Sequence, residues 1–105
     1  MRVTLKDCCD LAQILEGAFS GWLAGVYGSC MRNGIGRDGD ILLTPWRHVG
    51  IPREEHVSSV TGLEVIGGLE KGTMAYSMLL KDPNGKIYDL RWTIPYSPNW
   101  GTLEK

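Results

Sequence analysis

The chain has 105 residues, a net charge of −1, 43% hydrophobic and 22% charged residues. That length suits one soluble globular domain with a single modest core. The near-zero charge excludes a general basic field for nucleic acid, so an anionic ligand needs a local positive element: a metal, an arginine or a helix N-terminus. The cysteines are Cys8, Cys9 and Cys30. An odd count with an adjacent pair and no C-x-x-C spacing argues against a disulfide framework or structural zinc. No signal-peptide core opens the chain, and no apolar run is long enough to span a membrane. A reduced, cytoplasmic setting is the expectation.

Thr4 is placed to cap a helix, with Asp7 three residues on. Leu5, Cys8, Cys9, Ala12, Ile14, Leu15, Ala18 and Phe19 follow at mostly helical spacing, predicting a helix from about Leu5 to Phe19 that Ser20-Gly21 ends. The apolar run Trp22–Tyr27, bounded by glycines, predicts a buried strand. Residues 30–37 read as a helical turn followed by a flexible loop. Asp40–Thr44 predicts a second strand, with Pro45 at its end. Pro52-Arg-Glu-Glu opens a short helix to about Val60, stopped by Gly62. Leu63–Ile66 is a candidate strand. Residues 73–81 and 86–94 flank Asp82-Pro83-Asn84-Gly85, a strong hairpin signal. Residues 95–105 read as an irregular tail. This order predicts an α+β domain with a mixed sheet and helices mainly on one side, in one unit over residues 1–105.

Asp38 and Asp40 are two apart, so on an extended chain both carboxylates point to one face. Asp89 lies in a second strand-like run, Lys86-Ile-Tyr-Asp-Leu-Arg-Trp. If the two strands are neighbours, three carboxylates converge, and crowded carboxylates repel unless a cation neutralises them. Hard oxygen ligands suit Mg2+ or Mn2+. Upstream, Gly28-Ser29 follows a strand, where a missing side chain permits close approach of a phosphate to the backbone. Ser29 adds a hydroxyl, and Arg32 lies near it on a helical turn.

Gly28-Ser29, a spacer, Asp38-Gly39-Asp40-Ile41 and a distant Asp89 on a strand together resemble the nucleotidyltransferase superfamily that includes DNA polymerase beta. The leading helix and short length resemble its minimal members. The resemblance implies that Asp38, Asp40 and Asp89 bind Mg2+ or Mn2+ and carry catalysis, with Asp89 helping to deprotonate the acceptor. It implies that Gly28, Ser29 and Arg32 contact a nucleoside triphosphate. The implied reaction moves a nucleoside monophosphate to a hydroxyl on a protein, an RNA or a small molecule. Two departures stand out. Gly39 occupies a position that is usually hydrophobic, and glycine loosens a strand. The spacer before Asp38 is also short.

Gly39 gives weight to a second reading, a nucleotidyltransferase-fold protein without catalysis that binds or regulates a partner through protein contacts. A third takes Asp38-Gly39-Asp40 as a solvated turn. Arg37 and Arg91 are further candidate phosphate ligands, against which stands an ordinary surface ion pair. Cys30 is either a reactive thiol or, more commonly, a small buried side chain. Among Trp22, Trp46, Trp92 and Trp100, most are expected in the core. Trp46, just past the acidic strand, is the best candidate to stack on a base, while Tyr96 and Trp100 are candidates for a partner-binding patch. A domain this small gains burial by dimerising, so a homodimer is one expectation.

Overall fold

A computed structural model describes residues 2–93. The first helix, α1 (Leu5–Ala18), starts where the sequence signals it. Thr4 and Asp7 form a capping box: Asp7 N–H donates to Thr4 Oγ1 (3.1 Å) and Thr4 N–H donates to Asp7 Oδ2 (2.9 Å). Its apolar stripe of Cys8, Leu11, Ala12 and Leu15 is buried. The strand β2 (Trp22–Tyr27) follows as predicted.

The stretch read as a turn and a loose loop is more ordered than that. It holds a short helix, α2 (Ser29–Asn33), and a two-residue strand, β3 (Ile35–Gly36). β3 pairs antiparallel with β1 (Val3–Thr4) just ahead of α1. Leu5 N–H donates to Gly34 O at 2.8 Å, completing the link. The partner strand is at the start of the chain, so local pattern carries no trace of it.

The second main strand, β4, runs Asp38–Pro45 and therefore includes the whole Asp-Gly-Asp segment. A short helix, α3 (Glu54–Thr61), ends at Gly62 in the left-handed conformation (φ 72°), as its sequence signals. Three strands complete the fold: β5 (Glu64–Lys71), β6 (Ala75–Lys81) and β7 (Ile87–Thr93). β5 is longer than Leu63–Ile66 and is bulged. In the β6–β7 turn, Asn84 and Lys86 N–H groups both donate to Asp82 Oδ1 at 2.9 Å, and Gly85 adopts φ 89°.

The five main strands form one mixed sheet in the order β2-β4-β7-β6-β5. Only β4 and β7 are parallel; the other pairs are antiparallel. One face is covered by α1 and α3 and carries the core. Ile41, Leu43, Tyr76, Met78, Leu80, Tyr88, Leu90 and Trp92 fill it from the strands. Trp92 stands edge-on to Phe19 (5.6 Å) and Trp22 (5.1 Å), so two of the tryptophans are core residues as expected. On the opposite face, alternation places Asp38, Asp40, Asp89 and Arg91. This is the predicted α+β architecture. No described helix is long and apolar enough to cross a membrane. The predicted irregular tail, with Tyr96 and Trp100, lies outside the described residues.

Candidate functional site

The acids come together through strand pairing. Asp40 and Asp89 are direct register partners on the parallel strands β4 and β7. Asp38 lies two residues before Asp40 on the same face, opposite Ile87. The Asp-Gly-Asp segment is therefore strand, and the solvated-turn reading fails.

Gly39 points the other way, into the core. A Cβ there would stand 2.7 Å from Cys8 Sγ, 2.8 Å from Tyr88 Cδ1 and 3.1 Å from Val3 Cγ1. The space of a hydrophobic side chain is already taken by α1, β1 and β7. Glycine at this position is thus a packing solution, and the loosening expected from the sequence is offset by its pairing with Tyr88 of β7.

Gly28 is fixed for two separate reasons. Its φ is 77°, a region that disfavours side chains, and a Cβ would run into Asp40 Oδ2. The glycine-serine turn therefore lies directly against one acid. Ser29 opens α2, and its Oγ lies close beside Gly36, which likewise has no room for a Cβ. Arg32 is exposed on α2, and its charge reaches Asp40 across space rather than through a hydrogen bond.

Both paired acids are held above the ordinary aspartate range. Burial raises Asp40 most, followed by the charge of Asp89; Arg91 opposes this, and Asp38 adds to it. Burial also raises Asp89 most, with Arg91 opposing through its charge and hydrogen bonding. Arg91 Nη2 is 3.6 Å from Asp89 Oδ2. Asp89 Oδ1 is buried and has no hydrogen-bond partner among the described residues.

Among the described residues, no three His, Cys, Asp or Glu side chains are already gathered as a metal-holding group. What suits a divalent cation is the donor chemistry: two carboxylates in register, a third on the same face, and a buried oxygen without a partner. A cation there would relieve the repulsion from Asp89 that adds to burial in raising Asp40.

Two further residues on this face are scarcely signalled in the sequence. Tyr27 is the register partner of Asp40, and its hydroxyl is buried without a partner among the described residues. Burial raises its pKa first; Arg91 lowers it, and Asp40 and Asp89 raise it further. Only its place just before Gly28-Ser29 points to it. Gly67, on β5, is the second and borders a groove beside Asp89.

Other candidates fall away. Trp46 is 61% exposed under the Arg47 guanidinium, but it lies six residues past Asp40, roughly 20 Å along a strand. It is at the wrong end to stack on a base beside the acids. Cys30 is fully buried and donates to Val3 O at 3.3 Å, which makes it a packing residue. All three cysteines are free.

No family model matches the chain, and no curated protein matches it either. Solved structures do match in fold. One, described as a cytoplasmic RNA terminal U-transferase, superposes with a TM-score of 0.56 at 12% identity. The match covers 83% of this chain and 27% of that one. At that identity the likeness shows a shared fold alone, and this chain spans about a quarter of the length of that structure.

Proposed function

We propose that the protein transfers a nucleoside monophosphate from a nucleoside triphosphate to a hydroxyl acceptor. The observation that carries this reading is the register of Asp40 with Asp89, directly beside the side-chain-free backbone of Gly28. The nucleotidyltransferase-like fold supports it. Asp38, Asp40 and Asp89 are the residues that would hold Mg2+ or Mn2+. When bound, such an ion neutralises triphosphate oxygens and activates a hydroxyl.

The chain's own groups divide the remaining work. The turn at Gly28-Ser29 offers backbone N–H groups to a phosphate, and Ser29 offers a hydroxyl donor. Arg32 and Arg91 supply guanidinium groups matched to phosphate oxygens. Asp89 accepts the acceptor's proton. Tyr27, a phenol protonated at neutral pH in any case and raised further by burial, remains a donor beside Asp40. A cytoplasmic location goes with this reading, since the three cysteines are free thiols.

Titration calorimetry with Mg2+ and each triphosphate, alongside a pyrophosphate-release assay, tests the proposal. Wild type should bind at least one triphosphate, and Asp40→Asn and Asp89→Asn should each lose transfer by at least about 100-fold. Binding by both variants equal to wild type would remove the site. No heat with any triphosphate would favour the non-catalytic binding protein.

A further inference from the structure

Beyond Asp89, on the side away from Asp40, the open face does not run flat to the sheet edge. A groove of about 190 Å³ lies there, lined among others by Gly67, Gly68, Glu70, Ser77, Leu79 and Asp89. It exists because β5 leaves the regular ladder twice, between Val65 and Gly67 and between Gly67 and Glu70. Gly67 is thereby set opposite Leu79, which is itself the register partner of Asp89.

Gly67 keeps this groove open. A Cβ on it would stand 3.0 Å from Leu79 Cβ and 3.1 Å from Leu79 Cδ1, so any side chain would project over Leu79. Its φ is not in the positive region, so the backbone itself does not demand glycine. Space does.

The chemistry of the lining is one-sided. Its two charged residues, Glu70 and Asp89, are both acidic, and among the described residues no lysine or arginine lines it. Ser77 sits between Glu70 and Arg91 in the ladder and adds a hydroxyl. Cations lie outside the lining on the same face: Lys81, two residues past Leu79 on β6, and Arg91, whose guanidinium is drawn to Asp89 Oδ2. On the helix side of β5, the hollow bordered by Glu54, Glu55 and Ser58 is acidic too. A phosphate-bearing strand entering here would bring its charges against carboxylates.

Resting on the transfer reading above, we infer that this groove receives the acceptor, and that the acceptor is a small cationic alcohol. The volume is below that of a drug-sized pocket, which suits a short chain or a single ring. The hydroxyl lies at Asp89, the carbon chain lies on Leu79, and the ammonium group faces Glu70. In the transfer, the acceptor oxygen forms a bond to the α-phosphorus. The bond from that phosphorus to the bridging oxygen breaks, and pyrophosphate leaves with its electron pair. The hydroxyl proton passes to the Asp89 carboxylate and then to solvent.

The test uses the full chain, isotope-labelled, with four probes: aminopropanediol, glycerol, glycerol phosphate and a short oligouridylate. The first three share a skeleton and differ in charge. Amide shifts of Gly67, Ser77 and Leu79 report the groove. Aminopropanediol should bind there about fivefold more tightly than glycerol, the worth of one exposed charge contact near 4 Å. Glu70→Lys, at an exposed position, should reverse the order of the amine and the phosphate. Gly67→Val should abolish binding of every probe in the groove. Glycerol phosphate or oligouridylate binding at these amides as tightly as the amine would overturn the inference, and so would no shift with any probe. Amides of Gly28 and Ser29 are followed separately with Mg2+ and triphosphate. Silence there counts against the transfer reading, while the groove titration is judged on its own amides.

Discussion

At the scale of single residues, the glycines of the candidate site answer to different forces. Gly28 is held by backbone conformation and by Asp40, Gly39 by the core behind the strand, and Gly67 by the open face. For Gly39 this has a measurable consequence. Gly39→Ala puts a methyl into space held by Cys8 and Tyr88, and overpacking of this kind costs about 1–3 kcal/mol. Adding Cys8→Ala should recover part of the loss, because the two sites are in contact and couple. Denaturant midpoints of the single and double variants check this. A Gly39→Ala variant as stable as wild type would refute the packing account. The sequence shows the glycine but not what stands behind it, since Val3, Cys8 and Tyr88 are distant in the chain.

At the scale of elements, the first turn of α1 does two jobs. Its capping box closes the helix start, and Asp7 Oδ2 also accepts from Lys86 Nζ at 2.9 Å, tying α1 to the β6–β7 turn. The Lys86 hydrogen bond is the main reason that Asp7 is held below the ordinary aspartate range, followed by the Thr4 backbone. A lowered carboxyl contributes stability that is present above its unfolded value and is lost as pH falls through its folded one. Asp7→Asn should therefore flatten the acid limb of the stability curve and, by weakening the cap, cost about 1 kcal/mol at neutral pH. Lys86→Met should flatten the same limb while leaving the box intact. Thermal unfolding between neutral pH and strong acid distinguishes them. The box itself is legible in Thr4-x-x-Asp7. The lysine that joins it is not, because its approach depends on how the hairpin lies against the helix.

At the scale of the whole molecule, the open face holds like charges together at a cost to the fold. Asp40 and Asp89 are both raised above the ordinary value of 3.8, chiefly by burial. A raised carboxyl binds its proton more readily in the folded state. The stability it allows is complete below the ordinary value and is lost as pH rises through the raised one. Asp40→Asn and Asp89→Asn should accordingly melt higher than wild type at neutral pH, on the order of a few degrees, with the gain fading in acid. Added Mg2+ and triphosphate should stabilise wild type and leave the variants unmoved. Variants that melt no higher than wild type at neutral pH would mean that the pair is not strained.

The sequence by itself determined α1, α3 and the main strands, but not the β1–β3 pair, and it determined much of the site's vocabulary. Two aspartates two apart on a strand share a face by the period of the backbone. Helical spacing, the capping box and the Asp82–Gly85 turn are likewise local, because each depends on residues within a few positions of one another. Tertiary structure alone decided what those residues meet. Parallel pairing of β4 with β7 set Asp40 against Asp89, pairing with β2 set Tyr27 beside them, and the bulges of β5 opened the groove under Gly67. Strand partners are chosen by the joint burial of faces from distant segments, a quantity that no local window contains.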